Sequence, residues 1–179
     1  MVFTETKLKG AYVIEIERHE DERGFFARTF CIDEFQSRGL NARLKQCSIS
    51  FNKKRGTLRG MHWQAPPQAE CKLVRVTRGA IYDVIIDLRP QSPTFKSAFA
   101  VELSAENRRQ LYVPEGFAHG FQTLQDSTEV FYQMSAIYVP GLTHGVRWND
   151  PAFGIQWPAT EERIMNERDA NYPDFEVGS

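Results

Sequence analysis

Cysteine is scarce in this chain. Its 179 residues hold three, Cys31, Cys47 and Cys71. An odd number with no C-x-x-C spacing argues against a disulfide framework and against a structural zinc site. Neither sign of charge dominates: 22 basic and 23 acidic residues leave a formal net charge of −1. A nucleic-acid groove or a surface for anionic membranes requires a basic excess, so neither partner is expected. No apolar run approaches the ~20 residues of a membrane span. The opening MVFTETKLKG lacks the apolar stretch of a signal peptide, so a cytoplasmic setting is expected. Internal repeats, low-complexity stretches and linkers are also missing. A single domain over residues 1–179 follows.

What the chain does have is apolar and aromatic bulk, 41% and 12%, with 13 Phe, enough to bury a core. Twelve Gly and nine Pro are scattered and suggest many turns between short elements. The hydrophobic pattern is mostly that of strands. Runs at 13–17, 25–30, 44–51, 57–64, 72–77, 80–88, 99–103, 110–113, 119–124 and 129–139 read as strands. Arg78-Gly79 marks a tight turn between two of them. Helical candidates are few: 32–38 stopped by Gly39, 104–108, and a piece near 161–168. Short strands about ten residues apart predict an all-β sandwich or barrel.

The run AIYDVIIDL at 80–88 is informative. On a strand, Ile81, Asp83, Ile85 and Asp87 share one face, and Tyr82, Val84 and Ile86 share the other. A carboxylate between isoleucines is costly to bury unless it is paired. Either the Asp face meets solvent, or the interior is partly polar because it holds a ligand; the pattern leaves both open.

Histidines number four: His19, His62, His119 and His144. His62 lies in GTLRGMHWQ with Arg59 close by and Lys72 following, a basic set in apolar surroundings. Such a set favours a negative ligand or chemistry that develops negative charge. Arg59 and His62 have opposite parity on a regular strand, so a shared cavity requires a kink or bulge, which Gly60 permits. His119 lies in PEGFAHGF, whose P-x-G-x-x-H spacing is shared by many cupin-type barrels. Metal-binding members complete a site with two His and a Glu from the preceding motif. Here that region offers His62 followed by Trp63 and Gln64, short of the three or four ligands a tight site requires, so no metal is expected.

Eight segments in order carry a resemblance: DERGFF at 21–26, GTLRGMH at 56–62, KLVRV at 72–76, DVIIDLR at 83–89, SPT at 92–94, LSAEN at 103–107, PEGFAHGF at 114–121 and WNDP at 148–151. The chain resembles the dTDP-4-dehydrorhamnose 3,5-epimerases, a family of cupin-type jelly rolls. The resemblance implies an all-β jelly roll with a few short helices, a nucleotide-diphosphate deoxysugar as substrate, and a homodimer. The implied chemistry is inversion of carbons 3 and 5 beside the carbon-4 ketone, through an enolate and with no cofactor. By the same resemblance His62 is the base, Asp169 its dyad carboxylate, Tyr132 the acid and Lys72 the cation that steadies the enolate oxygen. Imidazole suits proton abstraction near neutral pH. The segment 160–179 is then expected to pack back and complete the site. Taken alone, Tyr132 also reads as a core aromatic, Lys72 as an exposed strand residue and Asp169 as a cap.

Arg23 and Arg59 match positions that contact the diphosphate. Phe26, Arg28, Gln46, His119, His144 and Arg168 match other substrate-binding positions. The departures cluster on the nucleotide side. Arg28 and His144 stand where the family usually has glutamate, and Gln133 where it has the lysine after the acid. Gln46-Cys47-Ser48 replaces Gln-Asp-Asn, the loop before Gly56 is longer, and Arg168 replaces lysine. A mono-epimerase or ketoisomerase acting on a CDP- or GDP-sugar is therefore an alternative. A metal-dependent cupin and a non-catalytic nucleotide-sugar binder are the remaining competitors.

Overall fold

The computed structural model describes residues 1–176; residues 177–179 of the expected closing segment lie outside them. In chain order the described residues form β1 (Val2–Glu5), β2 (Tyr12–Glu15), β3 (His19–Asp21), β4 (Gly24–Phe26), α1 (Ile32–Gln36), β5 (Gln46–Asn52), β6 (Leu58–Gln64) and β7 (Lys72–Arg78). They continue with β8 (Ala80–Asp87), β9 (Ala98–Ser104), β10 (Gln110–Val113), β11 (Phe117–Thr123), β12 (Thr128–Met134), β13 (Thr143–Gly145) and α2 (Glu167–Ala170). Six strands in the order β1-β2-β10-β7-β12-β5 make a larger sheet, and five in the order β13-β6-β11-β8-β9 a smaller one. Strands β3 and β4 form a separate hairpin. The strand pairings are antiparallel. This is the expected cupin-type jelly roll.

The main core lies between the sheets. Val74, Val76, Leu111, Val113 and Val130 of the larger sheet pack against Ile81, Ile85, Leu103, Phe117 and Phe121 of the smaller. Both sheets also bury part of their outer faces. Phe35 of α1 covers Ile14, Leu73 and Tyr112. On the other side Val146 and Phe153, with Trp157 and Phe175, cover Val84 and Ile86. Strand β8 is thus buried on both faces, which explains its nearly unbroken apolar run. Asp83 and Asp87 lie inside, each without solvent exposure, so the Asp face does not meet solvent.

Four expected elements came out differently. The strand at 129–139 ends at Met134, opposite the first residues of both its partners, Gln46 and Lys72. The helix at 104–108 is a turn, because Ser104 and Asn107 trade hydrogen bonds: the Asn107 N–H donates to Ser104 Oγ and the Ser104 N–H to Asn107 Oδ1, at 2.9 and 3.0 Å. Such local side-chain bonds compete with helix. The strand at 25–30 stops at Phe26, since its partner β3 is three residues long. The helix near 161–168 begins only at Glu167, because Ile164 is extended and bridges Thr57. Strands β1, β3 and β13 were not anticipated from the pattern.

Candidate active site

One cavity of about 340 Å³ opens between the sheets. Strand β6 supplies Arg59, His62, Trp63 and Gln64 from the smaller sheet. Strands β7 and β12 supply Lys72 and Tyr132 from the larger one. His119, Gln46 and Arg168 also line it. Seven of the twelve expected site residues therefore converge on its wall, and an eighth, Asp169, sits directly behind His62.

The parity conflict between Arg59 and His62 is resolved by an irregularity. His119 is paired with His62, yet Phe121 is paired with Arg59, so the register slips between them. Gly60 sits in the slip with φ +121°, a backbone that side chains rarely adopt. A Cβ there would lie 2.5 Å from the Gly120 Cα. The displaced Gly60 N–H donates to Asp169 Oδ2 at 3.0 Å instead of to a strand.

Asp169 arrives from the far end of the chain. Asn166 caps α2 by accepting the Asp169 N–H at 2.7 Å, which orients the carboxylate toward β6. Its Oδ1 lies 2.8 Å from His62 Nε2. Burial by itself would raise the Asp169 pKa, but the bonds from His62 and the Gly60 amide outweigh it and hold the carboxyl below its usual range. The ionised carboxylate accepts, so Nε2 carries the proton and Nδ1 keeps its lone pair. Burial lowers the His62 pKa below the usual imidazole value, with Asp169 opposing and Lys72 and Arg168 assisting. The ring is therefore neutral near neutral pH, the form a base requires. The edge of Tyr172 packs on the imidazole, with centroids 5.7 Å apart.

On the opposite wall the Tyr132 hydroxyl is held well above its ordinary pKa. Burial is the main cause; Asp83 adds to it, and the Arg59 cation opposes it. A phenol so placed stays protonated and can act as an acid. Lys72 reaches Glu70 Oε1 at 3.3 Å, and both side chains are largely shielded. Glu70 was not singled out from the sequence; its i, i+2 spacing from Lys72 is the one signal for it. Tyr172 carried no such signal, because its contact with His62 depends on the fold of the closing segment. Arg59 is steadied by Asn52, which accepts its Nε–H at 2.8 Å.

The remaining expected residues lie elsewhere. Arg23 and Phe26 belong to the exposed β3–β4 hairpin, and Arg23 pairs with Asp21. Arg28 follows the hairpin and lies 3.4 Å from Glu34. These three do not line the cavity of their own chain. His144 is exposed on β13 and stacks on Trp63, centroids 5.6 Å apart, at the cavity's edge. Among the described residues no three His, Cys, Asp or Glu converge as a metal-ligating group. The three cysteines are free. No helix among the described residues is long and apolar enough to cross a membrane.

Two antiparallel sheets closing over a polar cavity, with a His–Asp pair on one wall, define a cupin-type jelly roll of the isomerase kind. A family model for dTDP-4-dehydrorhamnose 3,5-epimerase matches residues 5–176. The chain belongs to that family. The dTDP-4-dehydrorhamnose 3,5-epimerase of Methanothermobacter thermautotrophicus is 46% identical over 173 residues, covering 95% of this chain and 92% of the relative. The crystal structure of the Elizabethkingia anophelis enzyme of the same name superposes with a TM-score of 0.95 at 40% identity, covering 98% of this chain and 96% of the other. The dTDP-6-deoxy-D-glucose-3,5-epimerase of Legionella pneumophila, in complex with dTDP-4-keto-L-rhamnose, gives 0.91 at 34% identity, covering 97% and 92%.

Proposed function

We propose that this chain inverts carbons 3 and 5 of a dTDP-linked 4-keto-6-deoxyhexose. The observation that carries the reading is the His62–Asp169 pair at 2.8 Å on one wall, with Tyr132 and Lys72 on the other wall of the same cavity. The carbon-4 ketone acidifies the protons on its two neighbours. His62 Nδ1 takes one of them, and the C–H electrons move onto the ketone oxygen to form an enolate. The Lys72 ammonium faces that developing charge, and Glu70 balances it beforehand. The Tyr132 phenol then gives its proton to the opposite face of the carbon. Solvent reprotonates the phenolate and collects the proton from His62, so the residues return to their starting state.

Arg59 and Arg168 are assigned to the diphosphate end, with Gln46 and His119 holding the sugar and nucleotide by hydrogen bonds. Arg23, Phe26 and Arg28 are assigned to the cavity of a second copy, because they lie outside their own. The homodimer reading is supported by the exposed apolar side chains of that hairpin and of the edge strand β5: Phe26 is 74% exposed and Ile49 61%. Sedimentation at micromolar concentration tests it. The residues 1–179 act as one domain whose closing segment completes the site. Its setting is cytoplasmic, where nucleotide sugars are made.

Turnover in deuterium oxide tests the reaction. Deuterium entering at carbons 3 and 5 of dTDP-4-keto-6-deoxyglucose is the expected result. Entry at one carbon makes the chain a mono-epimerase. Entry only with a CDP- or GDP-linked sugar moves the substrate to that carrier, and the changes at Arg28, Gln133 and His144 would then account for it. No exchange with any carrier overturns the reading.

A further inference from the structure

Asp83 is a buried carboxylate that the mechanism above does not use. It has no solvent exposure, and among the described residues its side chain has one hydrogen-bonded partner, His119, whose Nε2 lies 2.7 Å from Oδ1. Its other oxygen is buried and meets no hydrogen-bond partner among those residues. Leaving an acceptor unsatisfied in an apolar interior is unfavourable, and native proteins rarely do so without a reason. The same strand shows the ordinary solution. Asp87, equally buried, accepts from the Arg89 guanidinium and amide and from the hydroxyls of Ser92 and Thr94.

The surroundings of Asp83 point at the acid. His119 and Phe121 both meet the Tyr132 ring, with centroids 6.2 and 6.4 Å away. Asp83 is paired with Phe121 across β8 and β11 and bonded to His119. The carboxylate thus anchors one of the two side chains that bracket the phenol. A carboxylate with a free lone pair also opposes a second negative charge beside it.

We propose that Asp83 is a positioning residue for Tyr132: through His119 it fixes the phenol ring, and through its own charge it keeps the phenol proton in place until the enolate forms. The inference rests on the epimerase reading. It gives the cavity two His–Asp pairs with separate duties. His62–Asp169 governs removal of the proton, and His119–Asp83 governs its return.

The two steps are separable in deuterium oxide. Return of deuterium from His62 labels the sugar without inverting it, whereas delivery from Tyr132 inverts it. Asp83→Asn keeps the shape and the acceptor toward His119 but removes the charge. Its inversion rate is expected to fall about tenfold while label without inversion stays within about twofold. In a Tyr132→Phe background the same change is expected to have no further effect, since both act on one step. A downfield imidazole proton from His62–Asp169 that persists in Asp83→Asn shows that the base side is intact. If labelling and inversion fall together, or if the two substitutions multiply, Asp83 is scaffold and the inference is wrong. If Asp83→Asn does not fold, Asp83→Ser, which also removes the charge, must give the same split, and equal losses overturn the inference. A wild type that neither labels nor inverts any 4-keto sugar would instead overturn the epimerase reading.

Discussion

The two walls of the cavity are built from different parts of the chain. The His62 wall is assembled at long range: a slipped register at Gly60, a carboxylate from residue 169 and a ring from Tyr172 all meet there. The wall that carries Lys72 and Tyr132 lies within the larger sheet, with Tyr132 paired to Val74 and Ser48 and the register regular from Val130 to Met134. The base is therefore held by a segment laid across the smaller sheet, and the acid by the sheet itself. Damage to the closing segment is expected to cost catalysis before it costs stability, whereas damage to β7 or β12 costs both.

The strongest way to break the comparison is His62→Asn. Labelling and inversion are both expected to fall by about 10³–10⁴-fold, with an unchanged melting temperature. Tyr132→Phe separates the walls: inversion drops by about 10²–10³-fold while labelling at the acidic carbon survives. Loss of both would place the base on the Tyr132 wall. Asp169→Asn is expected to slow turnover by about 10²-fold through loss of the fixed tautomer. It also moves the acid limb of kcat/KM. That limb tracks His62, whose pKa already lies below 6.5; Asp169 props it up, so removing the charge shifts the limb to still lower pH. A shift to higher pH would contradict the assignment.

Asp87→Asn sharpens the contrast from the scaffold side. Burial would raise this carboxyl, but Arg89, Ser92 and Thr94 bring it down to about 2 from an ordinary 3.8. A depressed folded-state pKa stabilises above the unfolded value and is lost as pH falls toward 2. The contribution is about 2 kcal/mol at neutral pH, read as a lower urea midpoint with unchanged kcat/KM. The smallest effect belongs to Arg147→Ala. Its ion pair with Asp174 clips the closing segment at the surface, at 2.5 Å, and exposed pairs are worth about 0–1 kcal/mol. Turnover within about twofold of wild type is expected, because the Arg147 N–H keeps its bond to the Pro173 carbonyl.

Much of the fold was legible because period-two patterning survives wherever one sheet face is buried. It failed in informative places. Strand β8 is buried on both faces, so its pattern could not say which way Asp83 points. Strands β3 and β13, three residues each, are too short to show a period. For the site, Arg59, His62 and the need for a bulge at Gly60 followed from parity. The pairing of His62 with Asp169 did not, because 107 positions separate them and only the fold or a family likeness spans that gap. Glu70 was visible two residues before Lys72 but resembles any solvated charge until its burial is known.

The distance between His62 and Asp169 along the chain has a consequence for synthesis. A ribosome makes the imidazole early and its carboxylate partner 107 residues later. Until that residue emerges, the nascent jelly roll can form most of its strands while its base lacks a fixed tautomer. Catalysis then arrives as a single event once α2 has emerged, and a chain released earlier that keeps both sheets but lacks α2 would be a well-paired protein with a silent site.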